Sequence, residues 1–392
     1  MRLARRLYAY AFLEDLILLY PVYALLFAEN GLSAAEISSL FIIWSCVTFV
    51  VEIPSGLWAD LFSRRRLLAL APLMSGAGFA LWTWLPSYPA FAAGFVLWGA
   101  GSSLRSGTLQ ALVYEELARA DATASYARLM GRSQALGTTA MMAATALAGP
   151  VLGLGGYQAV GLASVVVCLL GALVGRSFPE SRSAISRQDG ECPEPEEAPG
   201  YLTVLRAGFA ELRASRAALR AVLLTSAVTG VLMIDEYVPL LVQSMDVSDA
   251  TVPLLILIVT AGVALGGWCA GRGSPRLLGP ALAVAALALA AGAVTGPAGT
   301  PLLALAFGIF QWAMVTCDAL LQDRVTDRAR ATVSSMAGFG AEVLAVLLCA
   351  GYGLGSAWWA HSTLFVLAAF PYLLIALVLL WHGRRRKAVG KG

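Results

Sequence analysis

Gly56-Leu57-Trp58-Ala59-Asp60-Leu61-Phe62-Ser63-Arg64-Arg65-Arg66 interrupts a long apolar run with an acid and then three adjacent cations. A cation at mid-bilayer costs roughly 2.5 to 3.5 kcal/mol even on lenient insertion scales, so an apolar helix entering this stretch must leave the hydrocarbon and turn back. The rest of the chain has the composition such a turn implies. Its 392 residues are 59% hydrophobic and 13% charged, and a mean hydropathy of +0.75 does not describe a chain held in water by its surface. We read a polytopic membrane protein whose first partner is the lipid bilayer. The net charge of +3 is spread over short loops and gathers on no face that could track nucleic acid.

A spanning helix needs about 20 mainly apolar residues. The sequence offers twelve such runs, at roughly 7–28, 34–57, 67–86, 89–114, 126–149, 156–177, 217–243, 250–270, 277–296, 300–321, 330–354 and 357–381. Arginine marks one side: the N-terminus, 64–66, 119–132, 176–187, 272–276, 324–330 and 384–387 alternate with arginine-free turns. By the positive-inside rule both termini are cytoplasmic. The opposite turns, such as Glu29-Asn30-Gly31 and Pro86-Ser87-Tyr88-Pro89, are short and leave no external domain. Arg2, Arg5 and Arg6 precede an apolar run as they would in a secretory signal, but Glu14 and Asp15 lie inside that run and no convincing cleavage site follows. It is read as a retained first helix.

One connection is long. From about 178 to 201 the chain is rich in Pro and Glu, including Glu191-Cys192-Pro193-Glu194-Pro195-Glu196-Glu197, the composition of a disordered linker. It separates a six-helix half at 1–177 from a second at 217–392 that ends in a basic cytoplasmic tail, with 178–216 as the cytoplasmic linker. The halves repeat weakly, sharing Gly56/Gly266, Trp58/Trp268, Arg66/Arg276, Leu67/Leu277 and Leu68/Leu278. The expected fold is therefore all-α, with twelve transmembrane helices in two pseudo-symmetric six-helix bundles.

The opening stretch, with Gly56, Asp60, Arg64 and Arg65 in place, resembles motif A of the major facilitator superfamily, found between the second and third helices. Ser63 stands at that motif's second glycine position, where a positive φ would strain it. The second repeat keeps less of the pattern, with Ala270 in place of the acid and Ser274-Pro275 in place of two arginines. The resemblance implies that Asp60 and Arg64 bond to neighbouring helix ends, with Glu115 or Glu116 on the fourth helix as partner, latching the outward-open state. The alternative is that Arg64 to Arg66 only set topology. Arg330-Ala331-Thr332 is similar to the entry to the eleventh helix in the same superfamily. Gly149-Pro150-Val151-Leu152-Gly153 resembles part of the antiporter motif C, although Thr145 and Leu154 occupy two of its glycine positions. Small residues there would let helices approach closely, and the match favours export over import.

Charges inside the spans are the remaining signal, because they must face water or each other. Glu14 and Asp15 on the first helix lie at a depth comparable to Arg105 on the fourth, so either could pair with it. Adjacent acids point about 100° apart, so one of the two faces the cavity. Asp235 and Glu236 lie on the seventh helix, the counterpart of the first, and Glu342 near the middle of the eleventh. A structural ion pair is the alternative for each. A carboxylate carries protons at useful pH only if burial favours its neutral form, which Arg105 opposes; Asp235, Glu236 and Glu342 therefore rank above Glu14 and Asp15 for coupling. Trp98, Trp312, Tyr20, Tyr23 and Tyr237 are candidate aromatic walls, with packing as the alternative.

The two histidines, His361 and His382, sit at opposite ends of the last helix, and the six cysteines form no CxxC pair. With no GxxxxGK[ST] phosphate loop either, the sequence implies no metal, no cofactor and no ATP-driven pump. No nucleophile and base cluster to suggest an enzyme. The resulting expectation is a secondary active transporter in a cell membrane, plasma or bacterial inner, exporting a small organic molecule by proton antiport through alternating access. A proton-coupled importer is the alternative within the fold, another coupling ion could replace the proton, and a non-transporting scaffold or intramembrane enzyme is the alternative from another class. The orientation is directly testable: a cysteine introduced at Gly31 should react with an impermeant thiol reagent on intact cells, whereas Cys192 should react only after the membrane is opened. Labelling of Cys192 in intact cells would invert the topology.

Overall fold

The computed structural model of the chain describes residues 2–179, 215–248, 251–270, 274–324 and 330–389, without the side chains of 2, 53–57, 59–61, 124, 127, 330–332 and 382–389. The linker read over 178–216 lies almost wholly outside the described residues, as do Cys192, the side chain of Asp60, and Gly56 beyond its backbone. Every regular element among the described residues is helical. The chain divides into two compact units, Met1–Glu194 and Pro195–Gly392.

The first unit runs α1 (Arg2–Asp15), α2 (Tyr23–Glu29), α3 (Ala34–Leu61), α4 (Arg64–Trp84), α5 (Tyr88–Arg119) and α6 (Tyr126–Ser177). At 52 residues, α6 would extend about 78 Å at 1.5 Å per residue, far beyond one crossing of a hydrocarbon layer about 30 Å thick. It is broken by Gly155 and by Gly156, whose φ of 61° belongs to the left-handed region that glycine enters freely. α6 thus supplies two spans. The second unit runs α7 (Arg216–Val231), a 3₁₀ turn (Leu232–Tyr237), α8 (Val238–Gln243), α9 (Val252–Cys269), α10 (Leu278–Val294), α11 (Thr300–Gln322), α12 (Arg330–Gly355) and α13 (His361–Val389).

Nine helical stretches among the described residues are long and apolar enough to cross a membrane, one of them the double-length 128–177. The two remaining crossings are α1 with α2, broken and charged, and α5, whose hydropathy is diluted by glycines, serines and Arg105. Their outer faces suit lipid: Leu162, Leu173, Leu265, Leu287 and Leu377 are all exposed, which water would penalise and acyl chains do not. Trp358, Trp359 and Trp381 are exposed at span ends, where indoles favour the headgroup layer.

Each unit packs by the same pairing. In the first, α1 packs against the first part of α6, α4 against its second part, α3 against α5, and α4 against α5. In the second, α7 packs against α12, α10 against α13, α9 against α11, and α10 against α11. Counted as spans, 1–5, 3–6, 2–4 and 3–4 in one unit become 7–11, 9–12, 8–10 and 9–10 in the other. A handful of shared residues at Gly56 and Gly266 marks a duplication that the helix pairing carries throughout.

Turn chemistry explains the hinge after α3. Phe62 is extended, and Ser63, at φ −62°, caps α4 by accepting the Arg66 backbone N–H. The turn needs no positive φ, so the strain expected of serine does not arise; its hydroxyl satisfies an otherwise orphan helix donor. Between α9 and α11 the packing depends on missing side chains, as expected where lipid supplies no hydrophobic drive. A methyl on Gly262 would stand on the backbone of Ala304, and one on Gly266 on the backbone of Gly308. Gly266→Ala should therefore lower the melting temperature of the detergent-solubilised protein by the equivalent of about 1 to 3 kcal/mol. Gly267→Ala, whose nearest neighbour is Gln311 at 3.9 Å, should leave it unchanged. Equal melting of the two variants would refute the close-packing account.

Candidate functional site

The first helix of each unit is broken beside its acids. α1 stops at Asp15, and residues 16–22 turn before α2 begins at Tyr23. Pro21 has no N–H to give to the helical ladder, and within the break the Leu19 N–H donates to Ser164 Oγ at 3.1 Å on the second part of α6. In the second unit α7 gives way to the 3₁₀ turn that contains Asp235 and Glu236, followed by Pro239 in the first turn of α8. Backbone irregularity at membrane depth is tolerated where protein or a wet cavity satisfies it. Both acid pairs sit at such places.

Glu14 and Asp15 diverge, as their spacing requires. Glu14 forms an ion pair with Arg105 Nε, while Asp15 lies against Gly137 on α6, where any larger residue would collide with its carboxylate. The Arg105 and Glu14 side chains are 30% and 23% exposed, so the pair stands largely out of water. It lines a small cavity of about 40 Å³, room for two or three waters. α5 delivers Trp98, Ser102 and Arg105 to this cavity from one face, two turns apart. Tyr10, Tyr20, Ser75 and Cys168 complete its polar and aromatic wall.

Tyr20 stacks on Trp98 at 5.2 Å and Trp98 on Trp44 at 4.8 Å, giving one side of the cavity a flat aromatic face. Of the candidate aromatic walls, Tyr20 and Trp98 take that place. Tyr23 is packed among Phe27, Phe41, Trp82 and Phe95 instead, and Tyr237 is fully buried against Tyr352. Tyr10 and Cys168 escaped the sequence reading because nothing in their spacing separates a cavity wall from packing. Tyr10 also donates to the Leu68 carbonyl at 2.9 Å, fixing α1 to α4.

In the second unit Asp235 is exposed and Glu236 and Glu342 are half-buried. The turn that carries Asp235, Glu236 and Tyr237 packs on α12, which carries Glu342 and Cys349. They share a neighbourhood because α7 and α12 approach closely: the Ser226 hydroxyl donates to the Ala337 carbonyl at 2.9 Å, and a methyl on Gly230 would meet the Ala341 carbonyl at 2.5 Å. Among the described residues no group of His, Cys, Asp and Glu is arranged to hold a metal.

At the motif-A end, Arg64 is buried and its Nη1 lies 2.6 Å from Glu115 Oε1. Arg119 joins them, with Nη2 3.7 Å from Glu115 and Nη1 2.6 Å from Glu116. The sequence reading counted Arg119 only among the topology-setting arginines, although its spacing of four and three from the two acids is the helical neighbour signal. In the antiporter-like stretch, nothing among the described residues stands within 4 Å of a methyl built on Gly153. The helix runs through Pro150 and yields only at Gly155 and Gly156.

A family model described as Major Facilitator Superfamily matches residues 11–348. The chain belongs to the Major Facilitator Superfamily. Solved members share its whole fold at low identity. A nucleoside transporter, NupG, superposes with a TM-score of 0.74 at 14% identity, covering 97% of this chain and 98% of that one. A D-xylose-proton symporter gives 0.69 at 15%, covering 96% of each. A bacterial homolog of the human lysosomal transporter Spinster gives 0.64 at 16%, covering 97% of each. No curated protein sequence matches the chain. It is a multi-pass membrane transporter of this superfamily, a class that acts on small molecules, and not a member of an enzyme class.

In this carrier, removing one member of the Glu14–Arg105 pair strands the other charge in a poorly solvated place. Glu14→Gln and Arg105→Gln should each lower stability, and the double variant should recover part of the loss. Measured as a double-mutant cycle by thermal melting, the coupling should be about 1 to 3 kcal/mol. Additive losses would show that the pair contributes nothing to the fold.

Proposed function

We propose that this carrier exports a small, amphipathic organic molecule in exchange for protons, by alternating access, from a cell membrane in which both termini face the cytoplasm. The observation that carries the reading is the cavity of the first unit, where an ion pair faces the Tyr20–Trp98 aromatic stack. That combination of walls suits a ligand with one flat apolar part and one polar part, admitted when the carrier opens the cavity beyond its present room for two or three waters. Asp235, Glu236 and Glu342 are the coupling acids: the first two lie in the turn that breaks their helix, and Glu342 stands on α12, which packs against that turn. Arg64, Glu115 and Glu116, with Arg119, and Asp60 and Arg65 beside them in sequence, form the cytoplasmic latch of the cycle.

The direction rests on the antiporter-like Gly149, Pro150 and Gly153. Import with protons is the second reading, favoured by the open space at Gly153 and by a fold neighbour that is a proton symporter. Both are decided in proteoliposomes loaded with cationic, neutral and anionic compounds under an imposed pH gradient. An inward proton gradient should drive substrate out of the inward-facing compartment, and accumulation in the same direction as the protons would select import. In the same assay, neutralising the coupling acid by Asp235→Asn, Glu236→Gln or Glu342→Gln should abolish accumulation while leaving downhill exchange. Arg64→Ala should slow both without reducing insertion. Full pH-driven transport in all three acid variants would exclude proton coupling through these residues.

A further inference from the structure

A column of aromatic groups joins the acid-bearing turn of the second unit to the one histidine at that end of α13. The Tyr352 hydroxyl and His361 Nδ1 are 2.7 Å apart. The Tyr352 ring stacks on Tyr237 with centroids 3.7 Å apart and planes 25° from parallel. Tyr237 is the last residue of the 3₁₀ turn, one position after Glu236 and two after Asp235. Tyr352 is 4% exposed and Tyr237 fully buried, whereas His361, the first residue of α13, is half-buried. Cys349, one turn before Tyr352 on α12, lies beside Tyr237, so α12 flanks the Tyr237 ring with the Tyr352 stack and the Cys349 side chain.

We propose that His361 and Tyr352 are positioning residues for Asp235 and Glu236, and that His361 makes their position depend on pH. The proposal rests on the reading of those acids as coupling groups for its functional consequence, but not for its structural one. In the neutral imidazole that carries its proton on Nε2, Nδ1 accepts the Tyr352 O–H. On protonation Nδ1 becomes a donor, the tyrosine oxygen must accept, and its own hydrogen must find another acceptor in a buried setting. A buried hydroxyl left without an acceptor is unfavourable, so the Tyr352 ring turns and its stack on Tyr237 loosens. The 3₁₀ turn, already the least regular part of its span, is then released. The neutral form holds the acids in place and the protonated form frees them.

The titratable groups facing this column are few. Among the described residues they are Tyr352, Cys349 and Glu342 from α12, Asp235, Glu236 and Tyr237 from the turn, and Tyr372, near Asp235, from α13 itself. Of the other helices packed on α13, α8 and α10 carry no titratable residue, and α7 carries its arginines, Arg216 and Arg220, in its first turns, away from the 3₁₀ end. Imidazole is the group here whose ordinary pKa, about 6.5, lies in the physiological range.

Hydrogen exchange of the full-length protein in detergent, read by mass spectrometry on the peptide covering Leu232–Tyr237, tests this without a substrate. After correction for intrinsic rates, exchange in the wild type should be about tenfold faster at pH 5.5 than at 7.5, the change produced by a one-unit linkage. His361→Asn keeps an acceptor for Tyr352 and should abolish the difference. Tyr352→Phe keeps the stack and loses the hydroxyl, and should abolish it too. An unchanged pH response in both variants overturns the proposal. If the response disappears in both while transport proves not to be proton-coupled, the positioning role stands and the coupling reading alone falls.

Discussion

Water is absent from the hydrocarbon layer, and the structure follows from how the chain satisfies polar groups without it. Helices satisfy their own backbone, which is why every described element is helical. Each departure from helix is answered by a specific partner. The break after Asp15 is met by Ser164 from the sixth span, and the 3₁₀ turn by its own tighter bonding, with the Val238 N–H reaching the Asp235 carbonyl. The same scarcity makes intramembrane charge informative. Glu14 and Arg105 are placed together on helices 91 positions apart in sequence because neither is stable alone at that depth.

Duplication then sets where function can lie. Because spans 1–5 and 7–11 pair in the same way, each unit places its broken, acid-bearing helix against a helix that offers small residues: Gly137 beneath Asp15 in one, Gly340 and Ala341 beside Ser226 and Gly230 in the other. Close approach is the precondition for bringing acids near a partner. The two units have diverged in what they do with it. The first holds Arg105 in an ion pair, and the second packs its acid-bearing turn on α12 through the Tyr237–Tyr352 stack.

The surroundings of Arg64 show how local chemistry and tertiary contact combine. Ser63 caps α4, and that cap aims Arg64 from the first turn of the helix toward Glu115 near the end of α5. Arg119 adds a second cation to the same acid from one turn away. Glu115 is 41% exposed, so the network is part solvated and its contribution to stability is small. Weak contacts of this kind suit the opening and closing proposed for this end of the first unit.

The sequence by itself determined the class, the number of spans and their order, because hydropathy over about 20 residues is a sum that does not depend on partners. It also determined the turn at Arg64 to Arg66 and the presence of charges at membrane depth, since those are properties of residue type and position. Tertiary structure decided the rest. Spacing allowed Glu14 or Asp15 to meet Arg105, and the rotation of α1, fixed by Tyr10 on Leu68 and by Gly137, gave the pair to Glu14. Hydropathy could not see that the first span is broken, because Leu, Ile and Val fill the break as they would fill a helix. Nor could it join Tyr352 to His361 or Tyr237, which meet only because α12 packs on α7 and α13 starts beside it. Helix rotation and side-chain direction are set by contacts between elements distant in sequence, and no local pattern encodes them.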